Sequence, residues 1–199
     1  MRTLGSMTPQ SRRRIARETL DIYAPIADRL GMNGIKSELQ DLGFANLYPW
    51  RHRTIAEHIS TVTVDRSEII AEIHKALKRK MTQAGIPCDI KGREKTPYNI
   101  YRKMQSKDLS FSEVNDVYGF RIITHSEPHC YLALGTVHAL YRPKPGRFKD
   151  HIALPKSNGY QSLHTVLNSP FNLPVEIQIR TQEMDVLAEK GAAAHWQYK

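Results

Sequence analysis

The sequence predicts an α+β fold, with a helical segment over residues 1–85 and interspersed strands and helices over 86–199. Three observations carry that expectation. Helix start and stop signals punctuate the first 85 residues at helical intervals. From residue 87 the apolar period shortens into brief β-like runs. Finally, Val175-Glu176-Ile177-Gln178-Ile179-Arg180 alternates cleanly between apolar and polar residues, the pattern of a half-buried strand.

Taken in order, Thr8 as N-cap with Pro9 at the first helical position opens an amphipathic segment. Its stripe is Ile15, Thr19, Ile22, Ile26 and Leu30, and Pro25 should kink or break it. Asn33 is expected to cap a second helix with Ile35, Leu39 and Leu42 inward and Gly43 near its end. Pro49 opens a third around Ile55 and Ile59. Asp65 and Glu68 have the spacing of a capping box ahead of Ile69, Ile70, Ile73, Ala76 and Leu77, and Gly85 and Pro87 stop that helix. Strands are expected at 87–91, 117–124, 148–154, 163–168 and 175–180. Helices are expected at 97–106, 128–141 and 182–198.

At 199 residues the chain can bury a full core. The formal charge of +9 favours polyanions, whether nucleic acid, nucleoside polyphosphate or an acidic surface. No run reaches the length of a membrane-spanning helix, and the first residues lack the apolar core of a signal peptide. Cys88 and Cys130 suit a reduced, cytoplasmic protein better than a disulfide framework, and no paired Cys or His spacing suggests zinc. The basic runs Arg12-Arg13-Arg14 and Lys78-Arg79-Lys80 read first as solvated faces and second as RNA contacts.

Three segments carry chemistry. The stretch 146–165 gathers Arg147, Lys149, Lys156, Asn158, Tyr160 and His164 around a short apolar strand, Ile152-Ala153-Leu154, and a Pro155–Gly159 turn. Cations and amides can take phosphates, and a ring can stack on a base; a hairpin with a solvated basic face is the plainer reading. Asp116 at the mouth of one strand and Glu176 on another could share Mg²⁺, since that cation prefers carboxylates together with phosphate oxygens. Taken alone, both acids could as well neutralise arginines. Arg93, Lys95, Asn99 and Lys103 bracket a helix N-terminus at Pro97, which attracts anions, and nothing there forms a Walker loop.

Five motifs come in order along the chain: Gly-Arg-x-Lys…Lys at 92–103, Asp-x-x-Gly-x-Arg at 116–121, the Arg-Phe-Lys-Asp…His-Thr block, Glu-Ile-Gln-Ile-Arg-Thr, and Ala-Ala-His-Trp at 193–196. Together they resemble the synthetase domain of RelA/SpoT-family (p)ppGpp synthetases. Arg147-Phe148-Lys149-Asp150 resembles the bifunctional SpoT/Rel branch, because monofunctional synthetases carry acids there. The resemblance implies a nucleotidyltransferase-like mixed sheet flanked by helices. It also implies a helical linker over 1–85, whose first seven residues match the tail of a hydrolase domain, and a synthetase domain over 86–199.

It implies a pyrophosphokinase as well, in which the 3′-hydroxyl of GDP or GTP attacks the β-phosphorus of ATP with Mg²⁺ as cofactor. By position, Asp116 and Glu176 match the metal-binding acids, and Glu176 also matches the group that activates the hydroxyl. Arg147 and Lys149 match catalytic cations. Arg93, Lys95, Asn99, Lys103 and Arg121 fall on the ATP side, with Asn99 where many relatives have Ser. Tyr160, Lys156, Asn158, His164 and Gln178 fall on the GDP/GTP side. Implied partners are the two nucleotides and the hydrolase and regulatory domains of a longer parent chain. Ribosome or RNA contact through regions absent here is left open, and membrane contact is not expected. A catalytically silent regulatory or RNA-binding module is the alternative, distinguished by salt-sensitive binding that needs no Mg²⁺.

Overall fold

The computed structural model describes residues 1–111, 114, 118–171 and 173–191. It divides into two compact units. One comprises Met1–Thr61, Thr96–Val114 and the chain from Val186 onward; the other comprises Val62–Lys95 and Asn115–Asp185. This division differs from the boundary expected after residue 85. The reason is packing, because the helix before that point buries Ile73, Leu77 and Met81 in the same core as the strands.

The helical unit contains α1 (Pro9–Glu18), a π-helical turn (Thr19–Tyr23), α2 (Ala24–Arg29), α3 (Asn33–Leu47), most of α4 (Pro49–Asp65) and α6 (Pro97–Lys107). Thr8 caps α1 as expected, its Oγ1 accepting from the Ser11 amide at 3.4 Å. Pro25 leaves the helix continuous and is instead preceded by the π turn, in which the Ala24 amide bonds to the Thr19 carbonyl. The wider turn rotates the helix face. Ala16, Thr19, Ala24 and Ala27 are therefore buried, while Ile22, Ile26 and Leu30 of the expected stripe are 50%, 47% and 53% exposed.

Three helix expectations are corrected in the same region. Asn33 does not cap α3, since its amide donates to the Ala188 carbonyl at 2.9 Å, and Ile35 is exposed. Gly43 lies four residues before the end of α3, as expected. A Cβ there would sit 2.8 Å from Leu20 Cγ, so the glycine permits close helix contact. Asp65 and Glu68 form no capping box: Asp65 ends α4, and α5 (Ser67–Gln83) starts without a side-chain cap. Buried Phe44 anchors the unit, stacking on Tyr101 of α6 with ring centroids 4.7 Å apart. Beside it, Asp41 accepts the Tyr98 amide of α6 at 3.3 Å and pairs with His52 at 3.2 Å.

The second unit is a five-stranded mixed sheet in the order β1-β2-β5-β4-β3. Its strands are β1 (Cys88–Glu94), β2 (Tyr118–Thr124), β3 (Lys149–Asp150), β4 (Leu163–Asn168) and β5 (Pro174–Thr181). β2 and β5 run parallel, and the other pairs are antiparallel. One face packs its Phe120, Ile122, Leu163, Leu167, Ile177 and Ile179 against α5 and α7 (Glu127–Leu140). Gly85 and Ile86 close α5 with paired bonds to the Thr82 and Met81 carbonyls, a Schellman end. The observed α+β architecture with a mixed sheet and flanking helices is the one expected.

One element expectation fails here. The strand foreseen over 148–154 is only Lys149–Asp150, and Ile152-Ala153-Leu154 is a turn. Asp150 Oδ1 accepts the amides of Ile152 and Ala153 at 2.9 and 2.8 Å, and this side-chain mimicry of a turn outcompetes the ladder. The last helix, α8 (Gln182–Lys190), ends at Gly191, so the 192–198 part of the expected helix falls outside the described residues.

Candidate active site

Strand alternation fixes the chemistry of the sheet face opposite α5 and α7. Across it, register partners line up as Lys91, Arg121, Gln178, His164 and Lys149, one from each strand in sheet order. Glu176 stands one step along β5 on the same face. Its Oε2 lies 3.0 Å from Lys95 Nζ, and its Oε1 lies 3.7 Å from His164 Nδ1. The carboxyl is held far below the usual carboxylate range, by His164 first and by the Lys95 ammonium as well, against the opposing effect of burial. At these distances the Lys95 contact is the closer one, and the His164 contact is too long for a hydrogen bond.

Gln178 ties the acid to β1. Its Oε1 accepts from Arg93 at 3.0 Å, and its Nε2 lies 3.5 Å from Glu176 Oε1. On the other flank the Tyr160 hydroxyl meets His164 Nε2 at 2.8 Å, and Lys156 Nζ lies 4.9 Å from the Tyr160 ring centroid. Asn158 shapes that turn, accepting the Tyr160 amide at 3.2 Å. Thus Arg93, Gln178, Glu176, Lys95, His164, Tyr160 and Lys156 form one connected network. Arg147 and Lys149 are exposed beside it on the β3 approach, with Lys149 register-paired to His164.

Not every expected residue joins this network. Arg121 is drawn along the sheet to Asp185 Oδ1 at 3.2 Å, where Arg180 also binds through Nε at 2.7 Å. Arg180 alternates onto the polar side of the strand with Glu176 and Gln178, yet it is 1% exposed. Asn99 and Lys103 lie on α6 in the helical unit, where the Thr96 side chain caps the helix by accepting the Asn99 amide at 3.4 Å. Asp116 falls outside the described residues.

Three neighbours escaped the sequence reading. His151 packs edge-on to His164 and Tyr160, with centroids 5.6 and 6.2 Å away. Burial foremost, and then Lys156, lower its pKa, so the ring stays neutral near pH 7. Asp185 is invisible as a partner because its two arginines come from different strands. Gly119 is the third. A Cβ there would come within 2.7 Å of the Glu176 carbonyl oxygen, so only glycine lets β2 and β5 pair beside the acid. Gly119→Ala should lower stability by about 1–3 kcal/mol, read as a fall in denaturant midpoint; an unchanged midpoint would show that the strands accommodate the methyl.

The pattern defining the region found in RelA/SpoT proteins matches residues 92–199. The chain belongs to the RelA/SpoT family. Along all 199 residues it is 53% identical to the bifunctional (p)ppGpp synthase/hydrolase SpoT of Escherichia coli K12, of which it spans 28%. It is 45% identical to a GTP pyrophosphokinase of Myxococcus xanthus, of which it spans 26%. RelA/SpoT relatives of this kind are thus several times longer than the chain. Its fold is similar to that of the small alarmone synthetase 1 of Bacillus subtilis bound to its product pppGpp. That likeness has a TM-score of 0.54 at 24% identity, over 71% of this chain and 82% of that one. Among the described residues no helix is long and apolar enough to cross a membrane.

Proposed function

We propose that this RelA/SpoT-family chain is a pyrophosphotransferase, moving the β,γ-pyrophosphate of ATP to the 3′-hydroxyl of GDP or GTP. The observation that carries the reading is the Lys95–Glu176–His164–Tyr160 network, which sets one ionised acid between a cation and a partly exposed ring. Phosphoryl-type transfer asks the protein for positioning and charge neutralisation more than for a nucleophile. Tyr160, backed by Lys156 and fixed by His164, offers a stacking surface for the acceptor base. Arg93, Lys95, Arg147 and Lys149 would meet phosphate oxygens.

Lys95 also bears on proton transfer. While it holds Glu176, the carboxylate is a weak base, because its charged form is stabilised. Phosphates that draw Lys95 away would raise its basicity and let it take the proton of the acceptor hydroxyl. Glu176, kept ionised, is a fit hard-oxygen donor for Mg²⁺, with Asp116 as the second acid by its motif; bound there, the cation would neutralise phosphate charge. The expected cytoplasmic location and ribosome partnership remain proposals of the same reading.

Thin-layer chromatography of purified protein with labelled ATP, Mg²⁺ and either GDP or GTP tests it. A tetra- or pentaphosphate product that vanishes in Glu176→Gln is the expected result. A folded protein that forms no product but binds nucleotide would instead make it a silent regulatory module.

A further inference from the structure

The face of the sheet turned away from Glu176 holds a second concavity. Where the end of α4 and the first turns of α5 diverge from β1 and β2, they leave a cavity of about 400 Å³, within the range of small-molecule sites. Its walls are flat and apolar on one side. Tyr118 and Phe120 meet edge to face with centroids 5.5 Å apart, and His74 lies parallel to Phe120 at 5.8 Å. Gly92 makes room for the Tyr118 ring on the floor: the Tyr118 hydroxyl stands 1.9 Å from where a Cβ on residue 92 would be.

The polar groups around it are chiefly acceptors. His74 Nε2 meets the Ile90 carbonyl at 3.1 Å and must donate there, which holds the ring in its place beside Phe120. Thr63 lines the cavity, and its Oγ1 is buried without a hydrogen-bond partner among the described residues. Glu94 at the rim has no ion pair among the described residues, in a chain with nine more cations than acids. Aromatic faces beside an unpaired carboxylate suit a cation, through the ring quadrupoles and the charge together. The same carboxylate repels phosphate, which separates this place from the nucleotide face.

We propose that this cavity is a binding site for a small flat molecule with a cationic nitrogen edge, an amidine or protonated amino-heterocycle. The ring lies against Tyr118 and Phe120, and the N–H edge reaches Glu94. β1 is common to both faces, since Gly92 and Glu94 line the cavity while Arg93 holds Gln178 on the other side. Occupancy therefore bears directly on the strand that supports the Glu176 network.

Benzamidine is a suitable probe, with neutral benzamide as its isostere, titrated into the whole chain and followed by amide chemical shifts. Benzamidine should shift residues 63–74 and 90–94 saturably. Glu94→Gln should weaken it about tenfold, and benzamide should bind the wild type as weakly as benzamidine binds that variant. Ala71→Phe, a substitution at an exposed helix position on the cavity wall, should abolish binding while leaving the melting temperature near its original value. No saturable shift, or binding unchanged in Ala71→Phe, overturns the site. Equal affinity for benzamide and benzamidine overturns its cationic selectivity. None of these readouts depends on the proposed reaction, so the site and the reaction stand or fall separately.

Discussion

Glu176→Gln should lower turnover by roughly 10²-fold or more, the scale of a positioned base, while leaving the protein folded. Glutamine has the same shape and can keep its place beside Gln178. What it lacks is the charge that meets Lys95 at 3.0 Å and His164 at 3.7 Å. Both proposed roles, hard-oxygen donor for Mg²⁺ and proton acceptor, need that charge. The measurement is single-turnover product formation at saturating ATP and acceptor, with circular dichroism of the variant beside it. Turnover within a few-fold of the parent would remove Glu176 from both roles and leave it as a counter-ion for Lys95.

Asp185→Ala should cost about 3–5 kcal/mol of stability, the range for removing one partner of a buried ion pair. Asp185 Oδ1 binds both Arg180, which is 1% exposed, and Arg121. Taking the acid away leaves the Arg180 guanidinium in a site from which water is excluded, and that unfavourable desolvation is the main cost. A companion variant, Asp185→Ala with Arg180→Met, should recover most of the loss, because the buried charge is removed along with its partner. Urea denaturation of both proteins checks this. A single variant that melts like the parent would mean that the two arginines find other acceptors.

Much of the candidate site was legible because its residues come in short runs whose spacing is itself the geometry. Alternation along 175–180 places Glu176 and Gln178 on one face without any knowledge of the neighbouring strands. The Lys156–Tyr160 turn is local too, since an Asn and a Gly sit where the chain reverses. Less legible were features that depend on a distant partner. Arg121 has the same residue type and strand periodicity as a phosphate-binding cation, but Asp185, 64 positions away, takes it. The Ile22, Ile26 and Leu30 stripe has good helical spacing, yet one π turn ahead of Pro25 changes which residues face inward. Ile152-Ala153-Leu154 looks apolar enough for a strand, but Asp150 takes the amides of Ile152 and Ala153 locally.

From its sequence alone the chain was an α+β protein with a basic, phosphate-seeking surface, and its ordered motifs pointed to the RelA/SpoT family. Fold class and charge follow from local period, turn chemistry and composition, which each segment carries by itself, whereas the family came from the resemblance of the ordered motifs. Strand order was decided only in the tertiary structure, because pairing joins residues far apart in the chain. β2 and β5 lie side by side, which brings Arg121 opposite Gln178 and closes Gly119 onto Glu176. The tertiary structure also decided that α5 belongs with the sheet rather than with the helices before it. Ile73, Leu77 and Met81 lose water whichever surface covers them, and the sheet was the apolar face available.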